Sequence, residues 1–189
     1  MKRFQLKAEV RQDLGKKASK EYRQKGIVPV VLYGGSENRN LFVREADIRN
    51  LIYTPDIFVV DLEVEGKVIP CVMREVQFHP VTDHVLHIDF LEVREDKPIV
   101  MAVPVVLEGH AAGVRAGGKL VRELRKLKVK ATYNNIPEKL HIDVSNLELG
   151  KTIQVGELSF DNLELMNAKN AVVCAVRLTR AARGAQAAQ

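Results

Sequence analysis

The 189-residue sequence contains no tryptophan, and aromatic residues make up only 5% of it. A hydrophobic core must therefore rest on Val, Ile and Leu. Cysteine is also scarce: Cys71 and Cys174 are far apart in the sequence, and neither belongs to a CxxC pair. This spacing excludes a disulfide scaffold and a thiolate zinc site, and it fits a protein of the reducing cytosol.

Long apolar runs and enzyme motifs are missing as well. No stretch approaches the roughly 20 apolar residues of a membrane helix, and no apolar segment follows the basic start as in a secretory signal. GxSxG, HExxH and Walker A sequences do not occur, and no nucleophile is recognisable with a base. We therefore expect neither a membrane protein nor an enzyme, and no cofactor, metal or small-molecule substrate.

Charge is unevenly distributed along the chain, although the net charge of +5 is modest. Residues 1–25 carry nine Lys/Arg against three acids, whereas residues 26–94 carry six against eleven. A second basic run, Arg115–Lys130, contains seven Lys/Arg and one acid. Clustered basic residues indicate a polyanion as partner, although a solvated surface would also account for charge alone.

Most of the sequence alternates apolar and polar residues in short stretches, which is typical of strands rather than helices. Helical spacing is limited to residues 45–53 and to a short segment around residues 19–25, which Gly26 would end. The sequence therefore predicts a mainly β protein with few short helices. The expected strands are 4–11, 28–33, 41–43, 57–64, 67–76, 85–93, 99–107, 126–131, 141–144 and 171–178.

A charged break that contains a proline, residues 95–98, is the best candidate for a domain boundary. We expect one β-rich domain over residues 1–94 and a second β-rich domain over residues 95–180. The end of the chain, residues 181–189, is a low-complexity Ala/Gln/Arg segment. Because it has nothing to pack, we expect it to form a disordered or extended tail.

Three histidines and two aspartates lie close together between His79 and Asp89. They could bind a metal, but His87 and Asp89 share one face of a predicted strand, whereas His84 would lie on the other. The pair could instead be structural, or it could be presented to the base edge or 2′-hydroxyl of an RNA. A cytosolic β-rich interaction module with a His/Asp metal site is therefore the alternative to an RNA-binding function.

A glycine-rich segment, Gly109–Lys119, overlaps the start of the second basic run. Its glycine spacing matches neither GxGxxG nor GxxxxGK[ST], and no βαβ context surrounds it, so a turn-rich loop is favoured over a nucleotide site. Five basic side chains in and after this loop form a candidate second patch for RNA phosphates. They are Arg115, Lys119, Arg122, Arg125 and Lys126.

The amino-terminal region combines basic residues, a glycine-containing loop and a tyrosine at the end of a strand. Arg and Lys neutralise phosphates, Ser donates hydrogen bonds to them, and an exposed Tyr can stack or donate to a ribose. On these residues alone, RNA binding and a solvated loop with Tyr33 in the core both remain open. The candidates are Arg11, Lys16, Lys17, Ser19, Lys20, Arg23 and the Tyr33-Gly34-Gly35 turn.

Three segments of this region resemble, in order and spacing, the family of bacterial large-subunit ribosomal protein twenty-five. The second half is similar to the C-terminal domain of the family's long form, the general stress protein CTC, at 104–118 and 135–144. The resemblance covers about residues 1–180. The three segments are Arg11-x3-Gly15-Lys16-x2-Ser19-Lys20-x2-Arg23, Pro29-Val-Val-Leu-Tyr33-Gly34 and Val76-Gln77-x-His79-Pro80-x6-His87-Ile88-Asp89-Phe90.

The resemblance implies a cytoplasmic, two-domain protein of the large ribosomal subunit that is not an enzyme. Its closed N-terminal β-barrel would bind 5S ribosomal RNA in the central protuberance, next to other large-subunit components. Carried over by position, the RNA-facing residues are Arg11, Arg23, Tyr33, His87 and Asp89, supported by Lys16, Ser19, Gln77 and His79. The basic loop adds Lys20 to this set.

Overall fold

The structure, a computed structural model, describes residues 1–179, so the predicted tail at 181–189 lies outside the described residues. The chain divides into two compact units. The first comprises Met1–Ile99 with Thr132–Asn134, and the second comprises Val100–Ala131 with the residues from 135 onward. The domain limits expected from the sequence, at residues 94 and 180, stay a prediction.

The first unit is a closed barrel of six strands in the order β1-β3-β2-β6-β5-β4. Parallel pairing of β1 with β4 closes it, and β2 also pairs in parallel with β6. The unit further contains two helices. The bounds are β1 Lys2–Val10, α1 Lys16–Gln24, β2 Ile27–Tyr33, β3 Arg39–Arg44, α2 Glu45–Ile52, β4 Phe58–Val64, β5 Lys67–Phe78 and β6 Val85–Glu92.

Alternating strands build the barrel core almost entirely from aliphatic side chains. Leu32, Leu41 and Leu62 from three strands are at most 1% exposed, and Ile88 and Phe90 from β6 are fully buried. Because neighbouring residues of a strand face opposite sides, every buried residue of β6 leaves its neighbours on the outer surface. The interior is thus filled by side chains, and the outer surface remains available for polar groups.

Helix α1 begins at Lys16, three residues earlier than the predicted helical segment. No residue of α1 is buried, so the apolar spacing that identifies most helices is absent from it. Its first turn is held by hydrogen bonds, since both the amide and the hydroxyl of Ser19 donate to the Gly15 carbonyl oxygen. Half-buried Ala18 and Tyr22 form the side of the helix opposite the exposed lysines.

The second unit contains a four-stranded sheet in the order β10-β7-β9-β12 and a three-stranded sheet in the order β11-β13-β8. A short helix, α3, interrupts the glycine-rich segment that was expected to be a loop. The bounds are β7 Ile99–Glu108, α3 Ala112–Arg115, β8 Lys119–Arg122, β9 Lys126–Ala131, β10 Leu140–Asp143, β11 Thr152–Gln154, a 3-10 helix at Val155–Glu157, β12 Glu164–Leu165 and β13 Val172–Arg177.

Strands dominate both units, so the prediction of a mainly β protein with a closed barrel and a second β-rich region is confirmed. The predicted strands and the helix at 45–53 occur close to their expected positions. Three strands of the second unit were not predicted: β8 lies where the glycine-rich segment meets the basic run, and β11 and β12 have only two or three residues each. In the described part of the chain, no helix has the length and apolar character needed to cross a membrane.

Candidate nucleic-acid interface

His87 and Asp89 lie side by side on the outer face of β6. The Nδ1 atom of His87 lies 3.0 Å from Oδ1 of Asp89, and their side chains are 24% and 32% exposed. Ile88 between them is fully buried in the barrel. In the antiparallel ladder with β5, Gln77 lies directly opposite His87. Gln77, His87 and Asp89 therefore form one polar group on the barrel surface, called here the His–Asp cluster.

Arg23 connects helix α1 to the strand that carries the His–Asp cluster. Its Nε donates a hydrogen bond of 3.0 Å to the carbonyl oxygen of Leu86, the residue before His87. Lys16, Lys20 and Arg23 follow the i, i+4, i+7 spacing, so they share one face of the helix. The structure therefore brings the basic face of α1 to the cluster, although the two are far apart in the sequence.

Tyr33 ends strand β2 on the same outer surface. In the parallel pairing of β2 with β6, it lies opposite Leu91, while Val31 lies opposite Asp89. Tyr33 is half-buried and does not belong to the core. The interpretation of the sequence that placed it in the core is therefore wrong. The following Gly34 adopts φ +93°, and a Cβ there would lie 2.5 Å from the Leu91 side chain. The left-handed backbone conformation is what favours glycine here, because the end of the Leu91 side chain could shift to make room for a Cβ.

Arg11 and Ser19 are engaged with other protein groups. The Nη2 atom of Arg11 donates to the Ser19 hydroxyl at 3.1 Å and to the Asp13 carbonyl oxygen at 3.2 Å. The guanidinium also lies over the Tyr22 ring, 5.5 Å from its centroid, and Tyr22 stacks on Phe42 of β3. These contacts brace α1 against the barrel. Sequence reasoning missed Tyr22, whose aromatic ring in an otherwise polar segment is the available signal.

His79 organises the turn between β5 and β6. Its Nδ1 accepts hydrogen bonds of 3.3 Å from the amides of Val81 and Thr82, and its amide donates to the His84 carbonyl oxygen. The His84 imidazole contacts Glu45 at 3.2 Å. The three histidines of this segment therefore have separate partners. Among residues 1–179 no group of three metal-ligating side chains is found, so the metal-site alternative gains no support.

The first turn of α1 is strongly basic. Lys16 and Lys17 occupy it without any acidic residue, and within the described chain no side chain caps it, since Gly15 is the N-cap. Positive side chains at a helix amino terminus oppose the helix dipole by about 0.3–1 kcal/mol each. The backbone amide groups of this uncapped first turn and the two lysines together provide a favourable environment for an anion.

The five residues of the predicted second patch are all exposed, but they lie on different elements and on no single sheet. Lys119 and Arg122 lie on β8 of the three-stranded sheet, whereas Lys126 begins β9 of the four-stranded sheet. Arg115 ends α3, and Arg125 lies in the connection between β8 and β9. Arg122 is also a structural residue, because its Nη1 donates to the Val105 carbonyl oxygen at 3.0 Å.

Neither cysteine is placed for chemistry. Cys71 and Cys174 are free thiols and fully buried. Burial raises the pKa of both thiols, and for Cys71 the nearby carboxylates of Asp61 and Glu92 raise the pKa further. Since the thiolate is the reactive form, both residues are inert in the folded protein.

Comparison with known proteins agrees with this geometry in both units. Residues 6–90 match the family described as the Ribosomal L25p family, and residues 98–180 match the family described as Ribosomal protein TL5, C-terminal domain. The chain belongs to the ribosomal L25p family. The resemblance seen in the sequence motifs is thereby confirmed, and its second half is that of the longer form of the family.

Curated relatives resemble the chain over nearly its whole length. The "Large ribosomal subunit protein bL25" of Porphyromonas gingivalis strain ATCC 33277 is 63% identical over 187 residues, covering 98% of this chain and 97% of the relative. The protein of the same name from Phocaeicola vulgatus is 58% identical over 194 residues, covering 99% and 98%. As an L25p-family member, the chain is a structural protein of the ribosome and not an enzyme.

Proposed function

We propose that this L25p-family chain is a component of the large ribosomal subunit and binds 5S ribosomal RNA with α1 and the outer face of β2, β5 and β6. The observation that carries the proposal is the His–Asp cluster, with Arg23 of the basic helix hydrogen-bonded to the same strand. Polar recognition groups and phosphate-binding charges thus share one surface, as RNA binding requires.

The His–Asp cluster is suited to the minor groove of an RNA helix. A-form RNA exposes 2′-hydroxyl groups there, and each is both a donor and an acceptor. When Nδ1–H of His87 donates to Asp89, Nε2 is left as an acceptor, while the second carboxylate oxygen also accepts. The Gln77 amide adds a donor and an acceptor beside them. Tyr33, at the end of β2, extends the same surface.

Helix α1 would supply the contacts with phosphates. Lys16, Lys17 and Lys20 are exposed, and the first two stand at the uncapped amino terminus of the helix. A phosphate at this position would be stabilised by the helix dipole, and it would relieve the repulsion between the dipole and the lysines. We assign Arg11 and Ser19 the role of holding α1 in place, and His79 that of holding the β5–β6 turn.

Binding of the purified chain to 5S ribosomal RNA tests this function, with transfer RNA as competitor. We expect Arg23→Ala to weaken binding by roughly 5- to 150-fold, the equivalent of about 1–3 kcal/mol. The matched control is Arg49→Ala in α2, which removes the same charge from an exposed position outside the proposed surface. Equal affinity of the unaltered chain for both RNAs would refute the proposal.

Selectivity tests the His–Asp cluster separately from charge. We expect His87→Ala and Asp89→Asn to reduce the preference for 5S ribosomal RNA over transfer RNA, because they remove hydrogen bonds to the RNA rather than phosphate contacts. His84→Ala, which removes an exposed imidazole from the neighbouring turn, is the control. Unchanged selectivity in both cluster variants would mean that His87 and Asp89 have only a structural role.

A further inference from the structure

The second unit carries a row of like charges that the proposed 5S surface does not include. On β9, Lys126, Lys128 and Lys130 alternate with Leu127 and Val129, which are fully buried. The three lysines therefore project from the outer face of the four-stranded sheet, and they are called here the lysine row. Of these three residues, only Lys126 belongs to the second patch expected from the sequence.

Neighbouring side chains neutralise only one end of the lysine row. Lys130 forms an ion pair of 3.1 Å with Glu164, its cross-strand partner on β12. Within residues 1–179, Lys126 and Lys128 form no ion pair with any carboxylate. On β7, the neighbouring strand, Ala102, Pro104 and Val106 alternate with buried residues and are uncharged. Like charges on one face of a strand repel each other, so the row favours an external anion.

The spacing of the row is that of a polyanionic chain. Alternate residues of a strand are about 6.8 Å apart, which is close to the separation of consecutive phosphates along a nucleic-acid strand. The strands β7, β9 and β10 contain no Phe, Tyr or Trp, and the exposed imidazole of His141 on β10 is engaged by the Glu108 carboxylate at 2.5 Å. The chemistry therefore suits the sugar-phosphate backbone rather than the bases.

We propose that the lysine row binds the backbone of a ribosomal RNA strand in the large subunit, independently of its sequence. The inference rests on the proposed incorporation of the chain into that subunit, where RNA is the abundant polyanion. It adds a second RNA contact, made by the second unit, to the 5S contact made by the barrel.

Directed hydroxyl-radical probing tests the contact in the assembled particle. An iron chelate attached to Lys128→Cys would cleave RNA close to the row, and the native Cys71 and Cys174 are too buried to be labelled. The control is Lys151→Cys, an exposed lysine outside the four-stranded sheet. We expect cleavage of a ribosomal RNA segment from position 128 that the label at position 151 does not produce.

The outcomes separate the two proposals. If subunits contain the labelled protein but position 128 gives no RNA cleavage, or the same cleavage as position 151, the lysine-row proposal is wrong while the proposed function stands. If the unaltered chain does not enter large subunits at all, the proposed function itself fails.

Salt dependence gives a second, quantitative measurement. The double variant Lys126→Ala/Lys128→Ala is tested in the full chain bound to purified large-subunit ribosomal RNA. Loss of two phosphate contacts with a single strand should reduce the slope of log affinity against log salt by about 1.4, or about 0.7 for each contact. The control, Lys151→Ala with Lys169→Ala, removes the same charge from exposed positions outside the sheet and should leave the slope unchanged. Equal reductions in both double variants would indicate general electrostatic attraction and would contradict a specific contact.

Discussion

The two units differ in whether their sheets have edge strands, that is, strands with a neighbour on one side only. In the first unit, six strands close into a barrel, so every strand has a neighbour on both sides. In the second unit, a four-stranded and a three-stranded sheet both remain open. Because the barrel core is enclosed by its own strands, the outer surface can carry polar groups wherever function requires them. In the second unit, one face of each open sheet packs in the core, so polar groups are carried by the opposite face.

The same tripeptide has different partners in the two units. His87-Ile88-Asp89 and His141-Ile142-Asp143 each lie on a strand that pairs in parallel with an earlier one, and both isoleucines are buried. His87 contacts its own Asp89, whereas His141 contacts Glu108 at 2.5 Å. Asp143 instead accepts hydrogen bonds from the hydroxyl and amide of Ser145. Local neighbours, rather than the tripeptide itself, therefore decide which carboxylate each histidine contacts.

The largest expected effect concerns the cores, and it tests whether the units are energetically independent. Phe90→Ala removes the only fully buried aromatic side chain among residues 1–179 and should destabilise the barrel by about 3–5 kcal/mol. Leu127→Ala in the second unit should cost about 2–5 kcal/mol. Thermal unfolding and residue-resolved hydrogen exchange of each variant should show a loss of stability confined to the unit that carries the substitution. Equal loss of protection in both units from either variant would contradict that independence.

The cores were also the part of the fold that the sequence predicted best. Alternation of apolar residues located the barrel strands, because the period of two reflects which side chains face the interior. The start of helix α1 was predicted three residues too late. None of its residues is buried, so the sequence shows no hydrophobic periodicity there, and the hydrogen bonds from Ser19 to Gly15 that hold its first turn have no such pattern. The shortest strands of the second unit depend on tertiary pairing, which a local pattern cannot contain.

The sequence predicted the strand face of the candidate residues at 87 and 89, but not the contacts that the fold gives to the other candidates. The two-residue spacing of His87 and Asp89 correctly placed them on one face of a strand. The contact of Arg23 with Leu86 joins segments 63 residues apart, and the internal use of Arg11 and His79 depends on partners brought by the fold. The second basic run appeared continuous in the sequence, but a strand break at residues 123–125 divides it between two sheets.

An intermediate effect is expected where the barrel holds its exposed helix. Arg11→Ala removes a hydrogen bond to Ser19 and the stacking on Tyr22, which together should stabilise α1 by about 1–2 kcal/mol. Hydrogen exchange of the α1 amides should accelerate, while the barrel strands keep their protection. Arg49→Ala, an equal charge change in α2, should leave α1 unaffected. If α1 exchanges at an unchanged rate in Arg11→Ala, the brace does not stabilise the helix.

The smallest effect compares the two aspartates of the repeated tripeptide through pH. Hydrogen bonds from the Ser145 hydroxyl and amide lower the pKa of Asp143 below its ordinary value of 3.8. A carboxyl group whose pKa is lowered by folding contributes stability that is fully present above the unfolded pKa and is lost as pH falls through the folded pKa. Ser145→Ala removes the hydroxyl, so it should destabilise the second unit slightly at neutral pH and progressively less as Asp143 becomes protonated.

Denaturant unfolding of the second unit between neutral and acidic pH measures this difference, with Ser159→Ala as a control at another exposed serine. The stability gap between Ser145→Ala and the unaltered chain should narrow below the ordinary pKa of Asp143, whereas the gap for Ser159→Ala should not depend on pH. A gap that stays constant would mean that the Ser145 hydroxyl acts through packing alone. A narrowing gap would show that Asp143 is stabilised as a carboxylate by its own turn, whereas Asp89 has His87 as its partner on an open surface.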